Sequence, residues 1–167
     1  MSYTIRPARV DDAGGIAAVH VASWQESYRG LIPDDVLAQQ SVEAREIFWR
    51  GHLEQPSRGG WVLETDGAVT GFGDCGPNHD PMLESDGEIN SLYLLQSAQG
   101  QGAGRGLMEV MLRALATGGY ATAGLWVAKG NTGACGFYEH LGGKLVGERV
   151  QDRRTFKLPV VAYRWAL

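Results

Sequence analysis

The sequence has little of what disulfide frameworks, metal centres and nucleic-acid surfaces require. Its 167 residues contain two cysteines, Cys75 and Cys135, which fits a reducing cytoplasm better than a disulfide scaffold. The four histidines and the two cysteines show no zinc-ligand spacing, so we expect no metal. The net charge is −4, with 15 basic against 19 acidic residues, and this balance argues against a nucleic-acid partner.

Long apolar runs are missing as well. No run approaches the ~20 apolar residues of a membrane span, and the N-terminus lacks the apolar region of a signal peptide. We therefore expect no membrane partner and a cytoplasmic location. The apolar share of 44% is ordinary for a globular protein, so residues 1–167 are predicted to form one domain with a buried core. The oligomeric state is left open, with a homodimer as one candidate.

Glycine is abundant instead, and its densest stretch lies between Gly87 and Met108. The pattern there indicates a strand, a turn and the start of a helix. Such a turn presents backbone N–H groups, and the helix adds the positive end of its dipole, so the segment suits a phosphate. Four residues without a Cβ would let the anion lie directly on the backbone: Gly100, Gly102, Gly104 and Gly106.

The spacing of these glycines separates three kinds of anion loop. A P-loop ends in Gly-Lys-Ser or Gly-Lys-Thr, and the sequence contains neither. The dinucleotide fingerprint Gly-x-Gly-x-x-Gly fails because its last position falls on Arg105 or Leu107. What remains is a Gln-x-x-Gly-x-Gly pattern over residues 99–104. This pattern resembles the pyrophosphate loop of the GNAT superfamily, the acyl-CoA-dependent N-acyltransferases, and Leu92-Tyr93-Leu94 is similar to the family's preceding strand.

The order of predicted elements is β-α-α-β-β-β-α-β-α-β-β, which indicates an α+β domain around one mixed, mostly antiparallel sheet. Asp11 or Asp12 is expected to cap the first helix, and a second helix starts at Pro33 and continues over residues 42–53. A hairpin is expected to turn at Asp66-Gly67. The resemblance implies the GNAT fold, in which the strand before the loop and the next strand splay apart to form a cleft for CoA.

The resemblance also implies acetyl-CoA as the cosubstrate and assigns residues to it. The backbone N–H near Leu94 would polarise the thioester carbonyl, and the segment from Gln99 to Gly106 would hold the pyrophosphate, with Arg105 adding charge. The residues expected to bind the cosubstrate are Leu94, Gln99, Gly100, Gln101, Gly102, Ala103, Gly104, Arg105, Gly106, Asn131 and Ala134.

A second constellation runs from Asn131 to Tyr138. Asn131, Ala134 and Tyr138 lie at helical spacings and can face one cleft. By resemblance, Asn131 contacts the pantetheine arm or the pyrophosphate, and Tyr138 lies near the thioester sulfur. A departing thiolate with a thiol pKa of about 8.5 can take a proton from a phenol of pKa about 10. The alternative is that Tyr138 is an aromatic residue of the core.

Glu88 stands eleven residues before Gln99, at the start of the strand that leads into the loop. Histone-type members of the superfamily place a general-base glutamate at this spacing. An acceptor amine with a pKa near 10 must lose a proton before it attacks. A carboxylate beside an apolar strand can have a raised pKa, which suits that task. The alternative is a solvated charge at the end of a strand.

The segment from Trp24 to Pro33 resembles a bacterial subgroup of the family that has Trp, then Tyr-Arg-Gly, then Ile-Pro. In the GNAT fold this region walls the acceptor pocket, which makes Trp24, Glu26 and Tyr28 candidates for substrate binding. An aromatic wall with carboxylates suits a cationic amine. The alternative is that these aromatic residues pack in the core.

We therefore expect an N-acetyltransferase that moves an acetyl group from acetyl-CoA to a primary amine, on a small molecule, by direct attack. Cys135 has no nearby histidine in the sequence to activate it for a covalent route. Two alternatives stay open: a protein or peptide N-acetyltransferase, and an acyl-CoA-binding module without catalysis.

Overall fold

The structure is a computed structural model that describes residues 2–55 and 59–167. Its centre is a seven-stranded sheet in the order β1-β2-β3-β4-β5-β7-β6. The strands are β1 (Tyr3–Pro7), β2 (Gly59–Thr65), β3 (Ala68–Pro77), β4 (Gly87–Leu94), β5 (Thr122–Ala128), β6 (Lys144–Asp152) and β7 (Lys157–Ala166). Neighbouring strands pair antiparallel except β4 and β5, which are parallel. The predicted mixed, mostly antiparallel sheet is therefore confirmed.

Helices cover both faces of the sheet. They are α1 (Ala13–Ser27), α2 (Asp34–Ala38), α3 (Val42–Leu53), α4 (Ala103–Thr117) and α5 (Thr132–His140). Phe72 of β3 packs with residues of α1 and α3, whereas the Sγ–H of Cys75 donates to the backbone carbonyl of Met111 in α4. Because strand side chains alternate between faces, α1 and α3 lie on one side of the sheet and α4 on the other. None of the helices in the two described ranges has the length and apolarity needed to cross a membrane.

One local prediction, the hairpin turn, is confirmed, and two predictions about the first helices are wrong. The β2–β3 hairpin turns at Asp66 and Gly67, which have φ angles of +51° and +81°, as a type I′ turn requires. Asp12 does occupy the position before α1, but the expected side-chain cap is wrong. Its carboxylate accepts hydrogen bonds from the Arg6 guanidinium at 2.8 and 2.9 Å instead. The second helix is also interrupted, because Ser41 caps a separate α3.

The feature that positions the site is the divergence of β4 and β5. The two strands pair only at Gly87 with Ala123 and at Glu88 with Gly124. The β3–β4 register shifts between Asp74 and Cys75, which places a bulge in β4 where the strands separate. Beyond this point the β5-facing edge of β4 has no strand partner among residues 2–55 and 59–167, which leaves a cleft between the two strands. This is the predicted splayed geometry.

Candidate active site

The space between β4 and β5 is a cavity of about 540 Å³ that reaches both faces of the sheet. On the α4 face it is lined by the glycine-rich loop, the first turn of α4, and α5. On the α1 face it is lined by Ser23, Ser27 and Tyr28. The cavity therefore connects two chemically different walls through one opening in the sheet.

The loop wall is built from backbone rather than side chains. Gly100 and Gly102 have φ angles of +76° and +81°, a left-handed conformation that residues with a Cβ rarely adopt. Gly102 immediately precedes the 15-residue helix α4, whose first backbone N–H groups have no partner within the helix. Both glycines and Gly104 line the cleft. The wall thus combines close backbone approach with the positive end of a helix dipole, as binding of a diphosphate requires.

The predicted loop residues divide into two groups. Those that line the cleft are Leu94, Gln99, Gly100, Gly102, Gly104 and Arg105. Ala103 is instead buried in the core, and the side-chain amide of Gln101 donates to the Ser97 carbonyl at 3.3 Å. A Cβ at Gly106 would lie 2.8 Å from Cδ1 of Ile5, so this glycine permits close packing of α4 on β1. A role for Gln101, Ala103 and Gly106 in holding acetyl-CoA stays a prediction.

The predicted face of α5 also meets the cleft. Asn131 caps the helix, with its Oδ1 accepting from the N–H of Ala134 at 3.2 Å, and Asn131, Ala134 and Tyr138 all line the cavity. Tyr138 is 8% exposed, and burial raises the pKa of its phenol above the ordinary value of 10, with nearby Tyr93 adding to the effect. The phenol therefore keeps its proton at neutral pH and can donate it.

Glu88 lies beside the cleft rather than in its wall. The cavity lining begins with the next residue, Ile89. Burial, together with the negative charges of Asp80 and Asp74, raises the pKa of Glu88 from 4.5 to about 6, against a smaller opposing effect of Arg149. A carboxylate with this pKa can accept a proton near neutral pH.

Of the three predicted acceptor-side residues, Tyr28 lines the cleft. The Trp24 indole N–H donates to the Tyr93 hydroxyl at 3.1 Å. The Glu26 carboxylate accepts from the backbone N–H of Gln96 at 3.1 Å. Trp24 and Glu26 therefore fix β4 and the turn before the loop, and direct substrate binding by them stays a prediction.

Sequence reasoning missed Ser23, which is 1% exposed and lines the cleft. Its Oγ has no hydrogen-bond partner among the described residues. A buried hydroxyl without a partner costs about 1–3 kcal/mol, so the group is available for a polar atom of a ligand. The sequence feature that could have identified Ser23 is its helical spacing from Ser27, next to Trp24 and Tyr28.

The wall of the cleft on the α1 face is its acceptor side. This side also includes Trp126 of β5, which the sequence analysis did not identify. Its indole N–H donates to Asp80 at 3.1 Å, and the Arg149 guanidinium lies 4.1 Å from the ring centre. Arg149 in turn donates to both carboxylate oxygens of Asp80, at 3.3 and 2.6 Å. These contacts hold the indole rigidly at the opening. No local sequence signal marks Trp126, because its exposure depends on the splay of the two strands.

The comparisons with known proteins agree with this geometry. The acetyltransferase (GNAT) family profile matches residues 18–143. YuaI of Bacillus subtilis (strain 168), described as an uncharacterized N-acetyltransferase, is 31% identical over 163 residues, which cover 97% of this chain and 92% of that protein.

Two solved structures share the fold. PaiA N-acetyltransferase of Thermoplasma acidophilum, in complex with coenzyme A, has a TM-score of 0.75 at 17% identity, covering 99% of this chain and 100% of that one. The structure of yncA from Salmonella typhimurium, with its cofactor acetyl-CoA, has a TM-score of 0.74 at 18% identity, covering 99% and 94%. The predicted fold and enzyme class are confirmed: the chain belongs to the GNAT family and is an N-acetyltransferase.

Proposed function

We propose that this enzyme transfers the acetyl group of acetyl-CoA to a primary amine of a small molecule by direct attack. The observation that carries the proposal is the cavity that joins a phosphate-type loop on one face of the sheet to a wall of hydroxyl and aromatic groups on the other. Its volume of about 540 Å³ is within the range of small-molecule sites.

The loop side suits acetyl-CoA. The positive φ angles of Gly100 and Gly102 and the N-terminus of α4 support binding of the pyrophosphate. Two structural neighbours were solved with coenzyme A or acetyl-CoA. Arg105 adds a positive charge at the rim, and Asn131 with Ala134 would flank the pantetheine arm. Acetyl-CoA supplies the activated thioester, and the N–H groups on the unpaired edge of β4 near Leu94 would polarise its carbonyl.

Two side chains would move protons. The buried phenol of Tyr138 would give its proton to the sulfur as the thiolate leaves. Glu88 is ionised above about pH 6 and would take a proton from the acceptor ammonium through a water. The two roles are compatible, because burial keeps Tyr138 protonated at the pH where Glu88 is a carboxylate.

The acceptor amine would enter from the α1 face. Tyr28 offers a ring to a cationic amine, and its hydroxyl shares a hydrogen bond with Tyr93. Ser23 and Ser27 offer hydroxyl groups for polar atoms of the acceptor. The similarity of the segment from Trp24 to Pro33 to a bacterial subgroup stays part of this proposal.

The test is a panel of small primary amines and short peptides incubated with acetyl-CoA. Thiol release gives the rate, and mass spectrometry identifies the acetylated product. We expect turnover with small amines and no acetylation of peptides. Peptide acetylation alone would identify a protein-modifying enzyme. Binding of acetyl-CoA with no turnover on any amine would indicate a binding module.

A further inference from the structure

A buried carboxylate lies beneath the acceptor side of the cleft. Asp74 of β3 is 4% exposed, and its Oδ1 accepts a hydrogen bond from the Ser91 hydroxyl of β4. Its Oδ2 lies 3.2 Å from Nε2 of His52 on α3, without the alignment of a hydrogen bond. Burying an ionisable group in a sheet is costly, and the interior offers Asp74 one hydroxyl and one imidazole to offset that cost.

Ser91 connects this carboxylate to the reaction space. It is the cross-strand partner of Asp74, next to the bulge in β4, and it lines the cleft. Its hydroxyl can therefore accept a hydrogen bond from a group in the cleft while it donates its own hydrogen to Asp74. Glu88, in contrast, is not part of the cleft lining.

The proposed reaction has more protons to remove than one base can take. An ammonium that becomes an amide loses two protons from its nitrogen. The departing thiolate takes up one proton, supplied by Tyr138. A single carboxylate at Glu88 would have to release the first proton before it could accept the second. A second proton-accepting group within reach of the nitrogen during attack removes this requirement.

We propose that Ser91 passes the second proton of the attacking nitrogen to Asp74. An N–H bond of the nitrogen breaks as an O–H bond forms on Ser91. The original O–H bond of Ser91 breaks as one forms on Oδ1 of Asp74, which becomes a neutral acid. After the products leave, the proton on Asp74 returns through Ser91 to water and Glu88 releases its proton to water. One proton from water restores the Tyr138 phenol, so the complete reaction releases one proton. The inference rests on the proposed amine acetylation.

Several titratable groups face Asp74 and bear on its pH dependence: His52 from α3, His20 from α1, Glu88 from β4, and Cys75 beside it on β3. The facing residue on β2 is a glycine. Burial lowers the pKa of His20 to about 4, and its Nδ1 accepts from the Trp49 indole at 3.0 Å, so this ring is neutral at pH 7. His52 is the facing imidazole whose Nε2 lies 3.2 Å from Oδ2 of Asp74.

The experiment compares Ser91→Ala, Ser91→Thr and Asp74→Asn, alone and in the Ser91→Ala/Asp74→Asn pair, from pH 5 to pH 10. Ser91→Ala breaks the path but leaves the carboxylate of Asp74 in place. We therefore expect the plateau value of kcat to fall at least about tenfold. The rise of the rate near pH 6, which reports the ionisation of Glu88, should stay at the same pH. Ser91→Thr keeps a hydroxyl and should restore most of the rate. The double variant should be no slower than the slower single variant, since both act on one step.

Thr70→Val is the matched control. It removes a hydroxyl from the same strand as Asp74, where the Thr70 hydroxyl forms a hydrogen bond with the Thr65 hydroxyl at 3.0 Å, and kcat should not change. Acetyl-CoA affinity, measured by calorimetry, should stay at the wild-type value in all Ser91 variants. Wild-type affinity in the Ser91 variants also shows that they fold, so these variants still test the relay if Asp74→Asn proves unstable.

A wild-type plateau kcat in Ser91→Ala, or additive losses in the double variant, would overturn the relay. So would a loss in Ser91→Ala that Ser91→Thr fails to restore. These results differ from failure of the proposed function, in which the wild-type enzyme itself acetylates no amine. That outcome would overturn both proposals together.

Discussion

The two sides of the cleft are built in different ways. The loop side comes from two short contiguous segments, residues 94–105 and 131–141, and its chemistry lies largely in backbone N–H groups and glycine φ angles. The acceptor side is assembled from α1, β4 and β5, with Asp74 of β3 beneath it, and its chemistry lies in side chains.

This difference separates binding of the cosubstrate from recognition of the acceptor. A backbone cradle depends on local conformation and suits a cosubstrate that is the same for every member of the family. A wall of side chains from distant segments can change one residue at a time, which suits recognition of a particular acceptor. Variants in the glycine-rich loop should therefore affect acetyl-CoA binding. Variants on the acceptor side, and of Tyr138 where the two sides meet, should affect the rate or the acceptor KM.

The largest effect is expected from Gly102→Val. The residue has a φ of +81° and lines the cleft, so a side chain both strains the turn and occupies the place of the phosphate. We expect loss of acetyl-CoA binding, seen as loss of the ligand-induced rise in melting temperature. In the wild type, acetyl-CoA at a hundredfold excess over Kd should stabilise the fold by about 2.7 kcal/mol.

Gly67→Val is the matched control, because Gly67 has the same φ of +81° but lies in the β2–β3 hairpin. It should lower stability and leave the acetyl-CoA shift intact. If Gly102→Val binds acetyl-CoA as tightly as the wild type, the phosphate assignment of the loop is wrong.

The next effect is a fall in kcat for Tyr138→Phe. The hydroxyl matters only as the thiolate leaves, so its loss should lower kcat by about 10²–10⁴ with little change in acetyl-CoA affinity. Tyr163→Phe serves as the control, since Tyr163 is also buried in the same core but its hydroxyl donates to Glu139 at 2.8 Å. Equal kcat values in Tyr138→Phe and the wild type would return Tyr138 to a packing role.

Glu88→Gln should give an intermediate, pH-dependent loss of about tenfold to hundredfold at pH 7. Gln cannot accept a proton, so the rate should recover partly near pH 10, where the amine is already neutral. The rise in wild-type rate through about pH 6 should disappear in the variant. A pH–rate profile from pH 5 to pH 10 measures both. Superimposable profiles would make Glu88 a bystander, and a small pH-independent loss would indicate that it only orders a water.

The same variant tests the raised pKa without catalysis. Glu88 binds its proton more tightly when folded, with a pKa of about 6 against 4.5, so its contribution to stability falls as the pH rises through this window. Glu88→Gln removes that penalty. Its melting temperature relative to the wild type should therefore be higher at pH 8 than at pH 4. A difference that does not vary with pH would contradict the buried setting of Glu88.

The smallest effect is expected from Ser23→Ala. Removing a buried hydroxyl without a partner should stabilise the free enzyme by about 1 kcal/mol, which is about 2–4 °C for a chain of this size. The acceptor KM should rise several-fold while acetyl-CoA affinity stays unchanged, as measured by steady-state kinetics and calorimetry. An unchanged acceptor KM would show that the hydroxyl contacts no substrate.

Much of the loop side could be predicted because local sequence controls it. The glycine spacing from Gln99 to Gly104 identified the turn, and the helical spacing of Asn131, Ala134 and Tyr138 identified the facing helix. Local reasoning did not indicate that Gly106 also permits close packing of α4 against Ile5, where a Cβ would lie 2.8 Å from Cδ1. Whether a glycine faces a ligand or another strand depends on what the fold brings next to it.

The contacts on the acceptor side could not be predicted from the sequence for a related reason. Trp24 and Glu26 have the chemistry of a binding wall, but the turn of α1 directs them to Tyr93 and to the backbone of Gln96. Ser23, one residue before Trp24, lines the cleft instead. A helix rotates by about 100° per residue, so one position decides between a binding role and a supporting role.

The sequence by itself determined the family, the order of elements apart from the division of the second helix, and the backbone conformation of the loop, because glycine conformations and helix starts are set by neighbouring residues. Only the tertiary structure decided how Asp74, Ser91 and His52 meet, since they come from β3, β4 and α3. It also decided that Glu88 lies beside the cleft rather than in it. Such contacts arise from strand register, the bulge in β4 and the splay of two strands, which are long-range consequences of packing and leave no mark on a local stretch of sequence.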